Sequence, residues 1–353
     1  MNIRVKILEE KYEEKYSEFL RKCPNTLFTA SNKYRKLLKA FLGEPDVYFI
    51  AVDDRDEIIG VLPSFLKKNN RYGPVLNSLP FYGSSGGIIT ENNEPDIKKC
   101  LIRGFYDYAL KNNCITTTII TSPFEEDPDF YRKHGEFDTT DFRTGQIVPL
   151  PEQAEGMADK IMSVFEQRTR TAIRKAIKND ITVVTDFSPG NFKYLYSTHW
   201  ENITAKGGIA KPPAFFHRVE SLFKYEEEFK IYTAIKDGQS IAAMLIFYCY
   251  PVVEEFCLGI TLEFRHLQPL SLLLYTAFLE AVNKGFKWWN FGGTWKTQED
   301  LYLFKRSWGA QDFPYYYYTK IFDETVLNLA KETLLKEYPY FYVVHFDNLK
   351  NGG

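Results

Sequence analysis

No stretch of this sequence is long and apolar enough to cross a bilayer: its longest apolar runs, such as Ile241 to Tyr250, reach about half of the ~20 residues that a spanning helix needs. Cysteine is scarce. Cys23, Cys100, Cys114, Cys249 and Cys257 are an odd number without CxxC spacing, which excludes a disulfide scaffold and a zinc ribbon and leaves free core thiols. The five histidines, His134, His199, His217, His266 and His345, show no HxxxH or HxxE spacing, so no metal site is expected. There is no G-x-S-x-G elbow, no Walker loop and no dinucleotide-binding fingerprint, so phosphotransfer and hydride transfer have no support. Charge of one sign is also missing. With 44 Lys plus Arg against 46 Asp plus Glu the net charge is −2, which excludes a global basic field for DNA or an anionic membrane. The first ten residues carry charges through their first apolar stretch and are no secretory signal, so a cytoplasmic protein is expected.

What is present is globular. The 353 residues are 44% hydrophobic and 25% charged, enough for two ordinary cores. The aromatic content, 16%, exceeds what two cores need and points to aromatics lining a cleft. In the first half, Thr29-Ala30-Ser31 caps a helix with apolar residues at Tyr34, Leu37, Leu38 and Phe41, followed by a hairpin of residues 47–52 and 58–63 around Asp53-Asp54-Arg55-Asp56. A helix over 97–112 and a strand over 115–121 follow.

The second half repeats this grammar. Residues 157–178 and 191–224 read as helical, residues 229–235 and 240–250 form a hairpin around Lys236-Asp237-Gly238-Gln239, a strand spans 254–260, a helix 271–284 and a strand 287–291. The pattern predicts an α+β protein of two copies of one unit, over residues 1–150 and 151–320, with a closing helix and frayed tail over 321–353. The run Tyr315–Tyr318 reads as an edge strand or, more sharply, as an aromatic wall beside a ligand.

Two segments carry candidate chemistry. Arg168, Arg170, Arg174, Lys175 and Lys178 crowd one helix; at 100° per residue Arg170 and Arg174 share one face, Arg168 and Lys175 a neighbouring one. Guanidinium forks suit a phosphate, although a solvated helix face fits the same pattern. The second segment ends a strand at Phe291-Gly292-Gly293-Thr294-Trp295 and then places Lys305 and Arg306 among aromatics, in Tyr302-Leu303-Phe304-Lys305-Arg306-Ser307-Trp308-Gly309-Ala310. A partly desolvated Lys305 suits a carboxylate, a phosphate or a developing oxyanion; a glycine turn with an exposed lysine is the plainer alternative. Tyr302 and Trp295 are candidates for the aromatic wall. His199, beside Trp200 and Glu201, is a weaker candidate base than a packed helix residue.

These segments resemble a family. Glu166 to Ala176 followed by Ile181-Thr182-Val183 is similar to the Arg-rich helix and strand that open the second half of Fem-type peptidyltransferase relatives, and Phe291-Gly292-Gly293 with Phe304-Lys305-Arg306-Ser307-Trp308-Gly309-Ala310 resembles their glycine turn and FKxxxGA signature. Gly60-Val61-Leu62-Pro63 and Leu79-Pro80-Phe81 with Gly86-Gly87 are also similar, so the resemblance runs in order over residues 25–320. It implies tandem GNAT-like acyltransferase domains, each a mixed, mainly antiparallel sheet flanked by helices. It also implies acyl transfer onto an amine of a peptidoglycan or surface-glycan precursor, with an aminoacyl-tRNA, acyl-CoA or acyl carrier as co-substrate and no permanently bound cofactor. On this reading Lys305 acts electrostatically in catalysis, and Arg168, Arg170, Arg174, Trp295, Tyr302 and Arg306 bind substrate. The sequence departs from the pattern twice. The segment Arg265-His266-Leu267-Gln268-Pro269-Leu270 lacks the glycines of an acetyl-CoA phosphate loop, and no long helical arm for tRNA is inserted between Phe192 and Lys287. An acetyltransferase acting on an amino sugar and a catalytically silent tandem binding module are the rival expectations.

Overall fold

The computed structural model describes residues 2–24, 26–80, 84–295 and 297–350; Phe81 and the final residues 351–353, both named in the sequence reading, lie outside the described residues. The chain forms two units, one of residues 1–144 with 313–353 and one of residues 145–312.

In the first unit the elements run β1 (Arg4–Ile7), α1 (Glu13–Lys22), α2 (Asn32–Leu42), β2 (Phe49–Val52), β3 (Ile58–Leu62), β4 (Phe65–Lys67), β5 (Val75–Asn77), β6 (Ile89–Thr90), α3 (Pro95–Lys111), β7 (Thr116–Ile120), α4 (Pro128–His134) and β8 (Thr139–Pro149), whose last residues enter the second unit. The second unit continues with α5 (Met157–Val164), α6 (Gln167–Lys178), β9 (Thr182–Val184), α7 (Pro189–Thr204), α8 (Pro213–Leu222), β10 (Phe229–Lys236), β11 (Gln239–Cys249), β12 (Val252–Ile260), α9 (Pro269–Asn283), β13 (Trp288–Thr294) and α10 (Glu299–Arg306). Then β14 (Gln311–Ile321) and α11 (Lys331–Glu337) return to the first unit.

The first unit holds an antiparallel sheet β1-β2-β3-β6 and the strands β4, β5, β7, β14 and β8 in that order. Ser31 caps α2 as read from the sequence, its hydroxyl accepting from the Tyr34 amide at 3.2 Å. Two expectations are corrected here. Residues 313–353 belong to the first unit rather than to the second and a separate tail, because β14 pairs antiparallel with β7 from Tyr317↔Ile120 to Ile321↔Thr116. The tyrosine run is also no edge strand: β14 lies between β7 and β8, and Tyr318 is fully buried against Tyr131, ring centroids 5.2 Å apart.

In the second unit β9 to β13 follow the order β13-β12-β11-β10-β9, antiparallel except for the parallel pair β12 and β13. Each predicted long helix is two. Residues 157–178 break after Val164, where Phe165 turns extended, and residues 191–224 break before Pro212-Pro213, whose rings fix an extended entry to α8. One sheet face buries Tyr232, Ala234, Met244, Ile246 and Val253 under α5, α6 and α9. The other receives α7 so closely that a Cβ on Gly259 would stand 2.8 Å from the His199 backbone nitrogen.

A buried ionic cluster ties α9 to this sheet. Glu280 accepts hydrogen bonds from Tyr232 Oη (2.7 Å), Lys230 Nζ (2.9 Å) and Tyr248 Oη (3.3 Å), and pairs with Lys284 at 2.9 Å. Burial works against its ionisation, yet Tyr232, Lys230 and Lys284 outweigh it and hold the carboxyl down to about 2. Its folded-state pKa is therefore depressed, so the stabilisation is fully present above the unfolded value of 4.5 and is lost as pH falls towards about 2. Glu280→Gln should lower stability at pH 7 by about 2 kcal/mol. Thermal melts should show the gap to the parent narrowing as pH falls below 4.5 and closing only towards about pH 2; a gap as wide at pH 2 as at pH 7 would contradict this account.

Candidate functional site

The site grows from the end of β13. Trp289 and Phe291 point into the core against Phe278, and Gly292, with a left-handed φ of 74°, and Gly293 continue the strand rather than forming the turn expected from sequence, the Gly292 amide donating to Asn290 Oδ1 at 2.8 Å. The α10 helix follows, with Glu299 and Asp300 in its first turn and Lys305 and Arg306 in its last, each sign at the dipole end that stabilises it. Lys305 is not the exposed lysine of the plainer reading; it is 5% exposed, and its ammonium donates to the carbonyls of Gly292 (3.3 Å) and Gly293 (3.1 Å) and to Thr294 Oγ1 (3.0 Å). Thr294 donates on to Gln146 Oε1 at 2.7 Å, and Gln146 to the Tyr302 carbonyl at 3.1 Å. The charge is thus locked beside the paired glycines of β13. Burial pushes its pKa down, and the nearby Glu255 carboxyl opposes that shift.

Glu255 is the functional candidate that sequence reasoning missed. β12 and β13 pair only over Val252↔Trp288, Val253↔Trp289 and Glu254↔Asn290, and Glu255 is the first residue beyond. Its Oε2 is buried and has no hydrogen-bond partner among the described residues. Burial pushes this acid's pKa up, with the Lys305 charge acting against the shift. The sequence signal was a pair of acids, Glu254-Glu255, inside an otherwise apolar strand.

Beside α10 opens a pocket of about 400 Å³ lined by Arg168, Thr169, Thr171, Ala172 and Lys175 of α6, Gln268 and Ser271 at the start of α9, and Asp300, Phe304, Ser307 and Trp308. α6 is pinned there because Thr169 Oγ1 donates to Ser307 Oγ at 2.8 Å and the Glu166 amide donates to the Ser307 carbonyl at 2.8 Å. That anchoring decides which cations face the pocket. Arg168 lines it while donating to the Leu303 carbonyl and pairing with Glu166 at 3.1 Å. Arg170 and Arg174 do not line it: Arg170 donates back to the Phe165 carbonyl and Arg174 faces solvent. The neighbouring face, Arg168 with Lys175, is the one that lines the pocket, with both side chains exposed. Gln268 takes a left-handed φ of 64°, the conformation that a glycine loop would supply, and Pro269 follows without a donor.

The remaining candidates scatter. Trp295 is 47% exposed, and Tyr302 donates to Asp312 at 2.9 Å while accepting from the exposed Arg306 at 3.4 Å. Neither aromatic lines the pocket, where Phe304 and Trp308 stand instead. His199 is buried, contacts the Leu258 carbonyl through Nδ1 at 3.1 Å, and is pushed down to about 4 by burial and Lys211, which makes it a neutral packing residue. No group of metal-ligating side chains and no helix long and apolar enough to cross a membrane is found among the described residues.

Known proteins complete this picture. The FemAB family model matches residues 201–313. No curated protein matches the sequence. Among solved structures, the chain is similar to the crystal structure of FemX (TM-score 0.73, 14% identity, 92% of this chain and 98% of that one). It is also similar to L-PGS from Bacillus licheniformis (TM-score 0.55, 13% identity, covering 93% and 95%) and to a tandem GNAT protein from the clavulanic acid biosynthesis pathway (TM-score 0.55, 11% identity, covering 91% and 98%). The FemAB match takes in Phe291-Gly292-Gly293 and Phe304 to Ala310, two of the segments that carried the resemblance, and the solved structures show the tandem GNAT-like fold.

Proposed function

We propose that the chain is an acyltransferase that moves an acyl or aminoacyl group onto an amine of a cell-envelope precursor, with the phosphates of one substrate held between α6 and α9. The observation that carries this reading is the pocket itself, where Arg168 and Lys175 face the N-terminal end of α9, beside the helix that carries Lys305. Two cations and a positive helix end suit a phosphate ester, and the buried ammonium of Lys305 suits the negative charge that develops on oxygen when an amine attacks a carbonyl. The FemAB match over 201–313 and the likeness to FemX support the envelope precursor as acceptor. Acetyl-CoA is a second donor to test, since Gln268 holds a left-handed φ of 64° at the start of α9 even though Pro269 supplies no N–H there.

The test is thermal-shift binding of a UDP-linked muropeptide, acetyl-CoA and an aminoacyl-tRNA, followed by mass analysis of the acceptor after incubation with each donor. Stabilisation by a phosphate-bearing substrate is expected. The Arg168→Ala and Lys175→Ala variants should each weaken it about tenfold, as loss of one charged hydrogen bond implies. Binding of acetyl-CoA alone would turn the reading to an acetyltransferase. No binding and no transfer across the panel would leave a silent binding module.

A further inference from the structure

Resting on the acyl-transfer reading, we infer that Glu255 is the proton acceptor for the attacking amine, placed where the pairing of β12 and β13 ends and facing the field of Lys305. The two strands run parallel and paired through Glu254↔Asn290, and the pairing between them ends there, so the next residues of each strand have no ladder partner on the other. On β12 the next residue is Glu255; on β13 it is Phe291, followed in the same strand by Gly292 and Gly293, whose carbonyls hold Lys305. Glu255, Phe256, Gly292 and Gly293 each keep partial exposure.

A structural role does not account for Glu255. A buried carboxyl oxygen without a donor costs stability, and a fold that needed only packing would place an apolar residue there. Lys305 is the obvious partner and is unavailable, because its three N–H groups are committed to two carbonyls and a hydroxyl. The ladder partner of Glu255 on β11, Ile246, carries no charge. Cys257, two residues along β12, is a buried thiol whose own pKa burial pushes up to about 12, so it stays protonated. An acid so placed, desolvated and unpaired, is poised to bind a proton near neutral pH.

The step balances without any further reactant. The amine nitrogen forms a bond to the donor carbonyl carbon, the carbonyl π pair moves to oxygen, and the proton released by nitrogen passes to the Glu255 carboxylate. Collapse restores the carbonyl and breaks the bond to the leaving oxygen or sulfur, which takes that proton back from Glu255. Lys305 stabilises the intermediate charge and need not itself exchange a proton.

The experiment uses the full chain and the donor and acceptor that give transfer in the assay above. Single-turnover rates are measured from pH 5 to 10 for the parent, Glu255→Gln and Glu255→Asp, with binding of the UDP-linked muropeptide and melting temperature recorded for each. The parent rate should rise with pH as Glu255 loses its proton and fall again as Lys305 loses its own. Glu255→Gln should lose about two to four orders of magnitude in rate, lack the rising limb, and keep muropeptide affinity. Glu255→Asp should be slow but retain the rising limb, which separates a proton role from a folding defect. Infrared difference spectra over the same range should show a protonated carboxyl band that is missing in Glu255→Gln. A Glu255→Gln variant that transfers at the parent rate with an unchanged pH profile overturns the assignment. A parent that transfers with none of the donors removes the acyl-transfer reading and the base role with it, whatever the infrared band shows.

Discussion

Trp308→Ala is expected to lower stability by about 3–5 kcal/mol, among the largest effects any single substitution in this chain should have. Trp308 is 1% exposed and is enclosed by Phe165 (ring centroids 4.7 Å), Phe278 (5.7 Å) and Phe304 (6.3 Å), so truncation removes a large apolar surface and leaves a void that rings on three different segments line. Collapse into that void is restricted. Gly309, next in sequence, holds φ at 84°, and a Cβ there would stand 2.4 Å from Val164 Cγ1, so the chain has no room to shift towards α5. Thermal unfolding should show a fall of about 2–4 °C per kcal/mol, while Trp308→Phe, which keeps a ring in place, should cost less than half as much. Because Trp308 also lines the pocket between α6 and α9, the alanine variant should bind phosphate-bearing substrates more weakly even below its melting transition. A loss under 1 kcal/mol would mean that the aromatic cluster repacks freely and that the pocket wall is not rigid.

What the sequence made legible follows physical range. The hairpins, the cap at Ser31 and the helical periods are set by residues within a dozen positions of each other, and these appear, although the two long helices each break into two where Phe165 and Pro212 turn extended. The joining of residues 313–353 to the first unit was hidden because it depends on β14 pairing with β7, about 200 residues away, and a strand's own pattern does not name its partner. The same gap misread the tyrosine run: alternation marks a strand, whereas the number of its neighbours decides whether it is an edge. In the Arg-rich helix, periodicity correctly separated two cationic faces. It had no means of choosing between them, since the choice is made by Thr169 and Glu166 bonding to Ser307. Lys305 stood out by its setting among glycines and aromatics. Glu255 did not, because its significance lies in a hydrogen bond it lacks.

Lys305→Met should slow transfer by about two to three orders of magnitude, the effect of removing one preorganised charge from a desolvated site, and should do so in kcat with little change in binding of the UDP-linked muropeptide. Methionine keeps most of the apolar stem, so the packing that the stem provides is largely preserved. The lost ammonium leaves the Gly292 and Gly293 carbonyls and Thr294 Oγ1 without their shared donor, a cost of about 1–3 kcal/mol. A melting temperature several degrees below the parent is therefore expected alongside the kinetic loss, and activity is to be compared well below that transition. Arginine should not rescue. Its planar fork cannot reproduce three convergent bonds made from one point, and its longer head would be driven against the paired glycines of β13. Two observations would sink the electrostatic role: unchanged single-turnover rates in Lys305→Met, or a rate loss that vanishes when all variants are assayed at equal distance from their melting points. The first would leave Lys305 as a tether of β13 alone, and the second would show that the tether, through the Thr294 to Gln146 bond, is what the reaction needs.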